Sequence, residues 1–232
     1  MSTLSIAESL ENLAADAVLD AILSAHEGRP ACMTCSFQAE DMIVVDLVRR
    51  QVPDIAVIFL ETGYHFRETY AYRDRMAQLW KLNLINAEAK QTLREQESQF
   101  GILNQTDPTR CCQLRKVEPL FEALQGYDVW FTGLRREQSP TRRNLQILEQ
   151  HRLPTGRTLE KVSPLAHWTW EQVWQYTLEN KIEYLPLYDL GYRSIGCQPC
   201  TAIPADGADP RSGRWGGVKL ECGIHTSSDR VE

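Results

Sequence analysis

Hydrophobic residues in this chain recur alternately at helical spacing and in short continuous runs. Helical spacing of apolar positions predicts amphipathic helices, and apolar runs of four to six residues are typical of buried strands. Strands that alternate with helices predict a parallel sheet with right-handed crossovers. The predicted elements of the first half are an N-terminal helix over 4–25 ended by Gly28, strands over 31–35, 55–60 and 82–85, and a helix over about 66–80.

The second half continues the pattern and then loses it. A polar stretch over 90–110 predicts a helix followed by a loop, and the later elements are a helix over 117–124, strands over 128–132 and 159–162, and an aromatic-rich helix over 168–178. Beyond Cys200, glycine and proline leave little chance of regular structure. We predict one α/β domain over 1–200, a mostly parallel sheet flanked by helices, and a flexible C-terminal tail over 201–232.

Two polar segments follow directly after predicted strands, where parallel sheets bind their ligands. In the segment 36–41, Ser36 serves as a helix N-cap with Asp41 in the first turn, or the helix start cradles an anion; the sequence leaves both open. The segment 61–63 is a second turn of this kind. The loop 134–143 contains four arginines, which favours phosphate or sulfate binding over a solvated surface.

Four cysteines provide the sharpest chemical signal. Cys111 and Cys112 are adjacent, and Cys197 and Cys200 form a C-x-x-C pair, so together they supply four thiolates. Spacing does not separate zinc from an iron–sulfur cluster, but adjacent cysteines suit a single tetrahedral ion poorly, which favours the cluster. Lys116 follows Cys112 by one helical turn and offers a cation close to it.

The other three cysteines differ in their expected roles. Cys32 and Cys35 form another C-x-x-C, which is either a redox pair, a second metal clip or core packing; their position in a buried strand favours core packing. Cys222 is either an inert thiol in the tail or a nucleophile. Basic residues surround it in the sequence, which favours the thiolate if the tail folds inward; they are Arg211, Arg214, Lys219 and His225.

Composition restricts the function classes. The chain has 232 residues, a net charge of −6 and a pI near 5.5, which argue against a general nucleic-acid binder. No apolar run approaches the roughly 18 residues of a membrane span, and the acidic, amphipathic start is unlike a secretory signal. Seven cysteines fit a disulfide framework badly. We therefore expect a cytoplasmic protein that binds neither nucleic acid nor membrane.

The sequence resembles the thioredoxin-dependent assimilatory adenylyl-sulfate (APS) reductases, the iron–sulfur branch of the APS/PAPS reductase family. The resemblance extends from Ser36 to His225. The matching motifs are Ser-Phe-Gln-Ala-Glu-Asp (36–41), Leu-Glu-Thr-Gly-Tyr (60–64), Cys-Cys-x-x-Arg-Lys (111–116), Thr-Gly-Leu-Arg-Arg (132–136), Ser-Ile-Gly-Cys-x-Pro-Cys-Thr (194–201), Asp-Pro-Arg-Ser-Gly-Arg-Trp (209–215) and Glu-Cys-Gly-Ile-His (221–225). It implies an adenine-nucleotide α-hydrolase-like (Rossmann-like) fold.

The resemblance also implies roles for individual residues. Residues 1–200 would bind the nucleotide and one 4Fe–4S cluster, and the tail would carry Cys222 as the nucleophile. The implied cluster ligands are Cys111, Cys112, Cys197 and Cys200. The implied substrate-binding residues are Ser36, Asp41, Leu60, Thr62, Gly63, Lys116, Gly133, Arg142, Arg211, Arg214 and His225.

The implied reaction is reduction of adenylyl sulfate to sulfite and AMP in sulfate assimilation. It would proceed through an S-sulfocysteine on Cys222, released by reduced thioredoxin or a glutaredoxin-like donor, because the fused thioredoxin-like domain of the plant enzymes is missing from these residues. One departure from the usual family motif is Gln38, which changes the approach of the backbone to the substrate. The oligomeric state is left open, with a homo-oligomer among the alternatives.

Three other functions compete with this one. The first is reduction of PAPS, alone or beside APS; relatives with that preference commonly lack the cluster cysteines. The second is a sulfur transferase acting on tRNA, whose Ser-Gly-Gly-x-Asp-Ser loop is absent. The third is a zinc-clipped binding module, which would leave Cys222 and the arginines unexplained.

Overall fold

Six strands form one sheet in the order β3-β2-β1-β4-β6-β5 in the computed structural model, which describes residues 9–217, 219 and 221–225. Every neighbouring pair is parallel except β5 and β6, which are antiparallel. The strands are β1 Ala31–Thr34, β2 Ala56–Glu61, β3 Asn83–Glu88, β4 Val129–Phe131, β5 Leu148–Arg152 and β6 Thr158–Val162. The predicted α/β fold with a mostly parallel sheet is confirmed.

Helices connect the strands and cover the sheet. They are α1 Ala15–Ala25, α2 Ala39–Arg49, α3 Arg67–Trp80, α4 Leu93–Phe100, α5 Leu103–Thr106, α6 Pro108–Cys112, α7 Glu118–Ala123 and α8 Trp170–Glu179. A π-helical turn, Gln113–Val117, joins α6 to α7. Single 3-10 turns lie at Leu124–Gly126, Arg136–Gln138, Pro140–Arg142, Pro186–Tyr188, Gln198–Cys200 and Trp215–Gly217.

The centre of the fold is apolar on all sides because β1, β2 and β4 are covered on both faces, as parallel strands require. Val57, Ile58 and Phe59 of β2 are all buried. Helix α2 is also buried almost all round and lies between the sheet and α8. Its one buried acid away from the site, Asp46, is neutralised by Arg49 at 2.9 Å, so the helix carries no unpaired charge into the core.

Cys32 and Cys35 pack into different cores. Cys32 lies in the cluster that includes Trp130, whereas Cys35 lies with Phe37 in the larger cluster on the other face of the sheet. Positions three apart in an extended strand point to opposite faces, so the two thiols share neither a disulfide nor a metal. Both are buried, as core packing predicts.

The N-terminal helix differs from the prediction. Residues 4–8 lie outside the described residues, and the chain leaves the helical conformation over 11–14 before α1 begins at Ala15. Leu13, which the pattern places on the apolar face, is exposed because it lies in this interruption. A single helix over 4–25 was therefore wrong.

Strand β5 was missed, and the polar stretch 90–110 is more helical than predicted. Strand β5 pairs only with β6 at the edge of the sheet, so its sequence Leu-Glu-Gln-His-Arg is largely polar and lacks an apolar run. The stretch 90–110 contains α4, α5 and the start of α6 in place of one helix and a loop.

The described part of the predicted tail packs against the domain. Within the tail, Thr201 and Arg214 form an antiparallel bridge, and the Ala202 amide donates to the Gly213 carbonyl at 2.8 Å. Towards the domain, Arg214 Nη1 donates to Ser194 Oγ at 3.3 Å. Trp215 is buried. The flexibility predicted for residues 201–232 stays a prediction. Among the described helices, none is long and apolar enough to cross a membrane.

Candidate active site

A cavity of about 440 Å³ opens at the carboxyl ends of β1, β2 and β4. Its volume lies in the range typical of small-molecule sites. Most residues that the resemblance assigned to the substrate line it; they are Ser36, Asp41, Leu60, Lys116, Gly133, Arg142, Arg211, Arg214 and His225, together with Cys222. Thr62 lines a neighbouring small cavity instead, and Gly63 faces the side chain of Leu93.

The loop after β1 folds around Asp41. The Ser36 amide and hydroxyl both donate to Asp41 Oδ2 at 2.6 Å. Helix α2 begins at Ala39 with Gln38 as N-cap residue, so the prediction of Ser36 as N-cap was wrong. Desolvation raises the pKa of Asp41 to about 6, against the opposing effect of the Ser36 hydrogen bonds.

Gln38 links this loop to the segment that carries two of the cysteines. Its side-chain nitrogen donates to Ser36 Oγ at 3.0 Å, and its oxygen accepts from the Ile195 amide at 2.7 Å. Ile195 precedes Cys197 by two residues. The residue by which this chain departs from the family motif therefore connects the candidate nucleotide loop to the C-x-x-C segment.

Gly133 permits the close approach of β4 to α2. A Cβ at this position would lie 2.3 Å from Asp41 Oδ1 and 2.9 Å from the Asp41 amide nitrogen. Any side chain at this position would displace the helix start from the strand end, so glycine is required here by contact distance.

The four arginines of the loop 134–143 do not share one role. Arg135 is buried and pairs with Glu40 at 2.9 Å, and Arg136 pairs with Glu11 at 2.8 Å. Arg143 is exposed. Arg135 and Arg142 both line the cavity, but the Arg135 guanidinium is already bound to Glu40. The prediction of anion binding by all four arginines was therefore too broad.

The four cysteines of the candidate cluster line a second, smaller cavity, of about 10 Å³. Burial raises the pKa of the Cys111 thiol to about 12, and the thiols of the other three add to that shift. Among the described residues, no three His, Cys, Asp or Glu side chains are arranged to hold a single metal ion. The donor set, four soft sulfurs around one cavity, fits a multinuclear thiolate-bound centre.

The π-helical turn places Lys116 and Arg115 differently. Arg115 is buried and donates to the Thr62 carbonyl, which ties the turn to the end of β2. Lys116 lines both cavities. Desolvation lowers its pKa, but the nearby Cys197, Cys222 and Cys112 thiols outweigh that effect, and the net shift is upward. Lys116 thus stays charged between the two sites.

Two further cations face the thiol of Cys222. Arg214 is buried, with its guanidinium 4.5 Å from the centre of the Trp215 ring. Gly196 makes room for it, since a Cβ there would lie 2.1 Å from Arg214 Nη2. Burial lowers the pKa of Arg211 to about 10. Both side chains line the cavity beside Cys222, so a thiolate and an anionic ligand would meet the same positive charge.

Sequence reasoning missed Glu221 and Trp130. The Glu221 carboxylate contacts Arg142 at 2.8 Å and Arg211 at 3.6 Å. The Trp130 ring stacks on His225 with centroids 5.6 Å apart and planes 17° apart. Glu221 carried a signal, as it belongs to the Glu-Cys-Gly-Ile-His motif, whereas Trp130 has only the pattern of a buried strand residue.

Comparison with known proteins agrees with this geometry. A family model described as the phosphoadenosine phosphosulfate reductase domain matches residues 30–203. Adenosine 5'-phosphosulfate reductase 1 of Bacillus subtilis is 43% identical over 203 residues, covering 86% of each chain. Adenosine 5'-phosphosulfate reductase of Geobacillus thermodenitrificans is 46% identical over 194 residues, covering 82% of this chain and 81% of the relative.

A solved structure has the same fold. It is the phosphoadenylyl-sulfate reductase of Candida auris in a phosphate complex, with a TM-score of 0.72 and 25% identity, covering 87% of this chain and 98% of that one. The resemblance to the adenylyl-sulfate reductases is confirmed.

We predict that Gly133→Ala weakens nucleotide binding, because its methyl group would overlap Asp41 Oδ1. The dissociation constant for AMP should rise by at least about tenfold, or roughly 1.4 kcal/mol. Isothermal titration calorimetry measures it. Gly126→Ala is the matched control, since a methyl group there meets no described atom within 4 Å. Equal affinities in the two variants would contradict the close approach.

Asp41 should make the free energy of unfolding depend on pH. In the folded protein the pKa of Asp41 is about 6, above its ordinary value of 3.8. Between pH 3.8 and about pH 6 the folded state therefore binds a proton that the unfolded state has already released. The contribution of Asp41 to the free energy of unfolding is fully present below about pH 4 and is lost as the pH rises through about 6. Across this pH interval, the free energy of unfolding of Asp41→Asn should therefore increase by roughly 1–3 kcal/mol relative to that of the wild type. Denaturant unfolding measures both; parallel pH curves would contradict the raised pKa.

Proposed function

Since the chain belongs to the phosphoadenosine phosphosulfate reductase domain family, we propose that the protein reduces adenylyl sulfate to sulfite and AMP in sulfate assimilation. The observation that carries the proposal is the convergence of Cys222, Lys116, Arg211 and Arg214 on one cavity at the carboxyl edge of the sheet. A nucleophilic thiol among cations is what attack on an anionic sulfur requires.

Electrostatics explains why the cations are needed. A thiolate that approaches a sulfonate meets like charge, about 4 kcal/mol for unit charges 4 Å apart at an effective dielectric of 20. That repulsion alone would slow the reaction roughly a thousandfold. Lys116, Arg211 and Arg214 offset it by facing both partners, with His225 beside them. The resemblance adds Arg142 to this set.

The proposed reaction has two parts. The Cys222 thiolate attacks the sulfonate sulfur, a sulfur–sulfur bond forms, the sulfur–oxygen bond to the phosphate breaks, and AMP leaves with the electron pair. A dithiol donor then attacks the Cys222 sulfur, sulfite leaves, and the second donor thiol resolves the mixed disulfide. The donor supplies two electrons and becomes a disulfide, and Cys222 returns as a thiol. Reduced thioredoxin or a glutaredoxin-like protein is the proposed donor.

The nucleotide would occupy the remaining part of the cavity. Ser36, Leu60 and Gly133 line its wall at the ends of three parallel strands, where such sheets bind nucleotides. The resemblance also assigns Thr62 and Gly63 to the nucleotide. They lie next to this wall, and in the proposal they would hold it in position without contacting the nucleotide. Asp41 holds the Ser36 amide and hydroxyl in place.

The proposed cofactor is one 4Fe–4S cluster on Cys111, Cys112, Cys197 and Cys200. Bound there, a cluster would supply a fixed local field to the charged groups beside it. Lys116 lines both cavities and would carry that influence to the substrate. The chain's own contribution is to keep this cation between the two sites.

Adenylyl sulfate is preferred over PAPS as the proposed substrate, with PAPS or dual use as the alternative. The curated relatives at 43% and 46% identity are named for the former, whereas the structural relative named for PAPS is 25% identical. A cytoplasmic location and the absence of a nucleic-acid or membrane partner belong to the same proposal, with a homo-oligomer among the alternatives for the assembly.

Substrate competition tests the proposed activity. With thioredoxin present and oxygen excluded, kcat/KM for adenylyl sulfate should exceed that for PAPS by more than about tenfold, a difference of roughly 1.4 kcal/mol in transition-state binding. AMP and sulfite should form in equal amounts. Equal or reversed preference would promote the alternative, and sulfite release without any thiol donor would contradict the two-part reaction.

Metal analysis tests the cofactor. Anaerobically purified protein should be brown and contain about four irons and four sulfides per chain. Cys112→Ala should lose this iron, while the matched control Cys32→Ala should keep it because Cys32 lies in a core away from the other thiols. One equivalent of zinc in place of iron would contradict the cluster.

A further inference from the structure

Glu221, the residue before Cys222, makes a dense set of polar contacts for a carboxylate. Its Oε1 accepts from Ser139 Oγ at 3.0 Å and from Thr141 Oγ1 at 2.8 Å. Arg142 binds both oxygens, Nε to Oε1 at 3.0 Å and Nη2 to Oε2 at 2.8 Å. Such two-point contacts between a guanidinium and a carboxylate fix orientation as well as distance.

The pair is shielded from water. The side chains of Arg142 and Glu221 are 11% and 15% exposed. Although burial opposes ionisation, the Arg142 hydrogen bond and the charges of Arg142 and Arg211 lower the pKa of Glu221 to about 2. A shielded ion pair of this geometry contributes more than an exposed one, and removing one partner leaves the other as an uncompensated charge.

A second contact holds the chain on the other side of Cys222. His225 stacks on the ring of Trp130, which belongs to β4. Arg142 lies in the loop that follows the same strand. Contacts on both sides of Cys222 therefore fix its position: Glu221, one residue before it, binds Arg142 in the loop after β4, and His225, three residues after it, stacks on Trp130 of β4.

We infer that Arg142 and Glu221 form a lock that positions Cys222 at the substrate sulfur, so that Arg142 serves the C-terminal segment rather than the nucleotide. The inference rests on the proposed function, because it gives Cys222 the nucleophilic role. The cations then have separate roles. Lys116 and Arg214 face the anion, whereas Arg142 holds the segment that delivers the thiol. Arg211 lines the cavity and also lies 3.6 Å from the Glu221 carboxylate, so it contacts both groups. Arg142 and Glu221 are positioning residues, as neither needs to touch the reacting atoms.

The competing explanation assigns Arg142 to the phosphosulfate, as the resemblance does. Glu221 would then occupy the anion site only until the substrate displaces it. The two explanations predict opposite changes in affinity. As a competitor, Glu221 weakens nucleotide binding, and its removal should strengthen it. As a lock, Glu221 leaves affinity unchanged, and its removal should slow the transfer to Cys222.

Two measurements on the full-length holoprotein separate these cases. The first is the dissociation constant for adenylyl sulfate in a non-reacting Cys222→Ser background. The second is the rate at which Cys222 gains the sulfonate in a single turnover at saturating adenylyl sulfate without a thiol donor, followed by mass spectrometry. The variants are Glu221→Gln and Arg142→Ala, with Arg143→Ala as the matched control, since Arg143 is the adjacent exposed arginine.

A lock predicts that each variant slows sulfonation by about tenfold to a hundredfold, the effect of misplacing a nucleophile by roughly 1 Å. The nucleotide dissociation constants should stay within about twofold of wild type, because in the lock neither residue contacts the nucleotide. A tenfold loss of affinity would require roughly 1.4 kcal/mol of lost contact. The double variant should be no slower than the slower single variant, since each single substitution already removes the same Arg142–Glu221 contact. Glu221→Asp, which keeps the charge, should recover part of the rate.

Three results would overturn the lock. Tighter binding in Glu221→Gln with weaker binding in Arg142→Ala would make Arg142 a substrate ligand. Sulfonation at the wild-type rate in both variants would remove the positioning role, and additive losses in the double variant would show that the two residues act separately. Failure of wild-type protein to gain a sulfonate on Cys222 would instead contradict the proposed function. Unchanged iron content in each variant shows that the fold and the cluster are intact.

Discussion

Positive charge held away from bulk water is the constraint on which this site depends. Arg214 is buried and Lys116 and Arg211 line the same cavity, so each requires anionic neighbours to remain charged at an acceptable free-energy cost. The Glu221 carboxylate lies beside Arg211, and the cysteine sulfurs beside Lys116 would balance its charge as thiolates. An anionic substrate would complete this balance, which is why the cavity suits a phosphosulfate better than a neutral ligand.

Close backbone approaches make that arrangement sterically feasible. Gly133 lets the end of β4 meet the start of α2, and Gly196 gives Arg214 the space for its guanidinium beside the C-x-x-C segment. Gln38 then joins the two regions through Ser36 and the Ile195 amide. The nucleotide loop, the cysteine segment and the cations therefore form one connected unit, and a displacement in one of them reaches the others through short contacts.

Periodicity and motifs predicted the parts of this protein whose signal is local. The buried strands β1 and β2 and helix α3 follow directly from apolar patterns, and the thiols and cations of the cavity follow from motifs. Long-range partners were invisible: Arg135 pairs with Glu40 across 95 positions and Arg136 with Glu11 across 125. No pattern within the arginine loop distinguishes these structural pairs from an anion-binding side chain. Edge strand β5 was missed because it pairs on one side only and four of its five residues are polar.

The central claim is that Cys222 accepts the sulfonate within a cavity lined by cations. Peptide mapping by mass spectrometry after one anaerobic turnover with adenylyl sulfate, in the absence of thiols, tests it most directly. The account predicts a gain of one sulfonate on the peptide that contains Cys222, with one AMP released, and none on peptides that contain Cys32 or Cys35. A sulfonate on another cysteine, or AMP release with no covalent adduct on the protein, would contradict it.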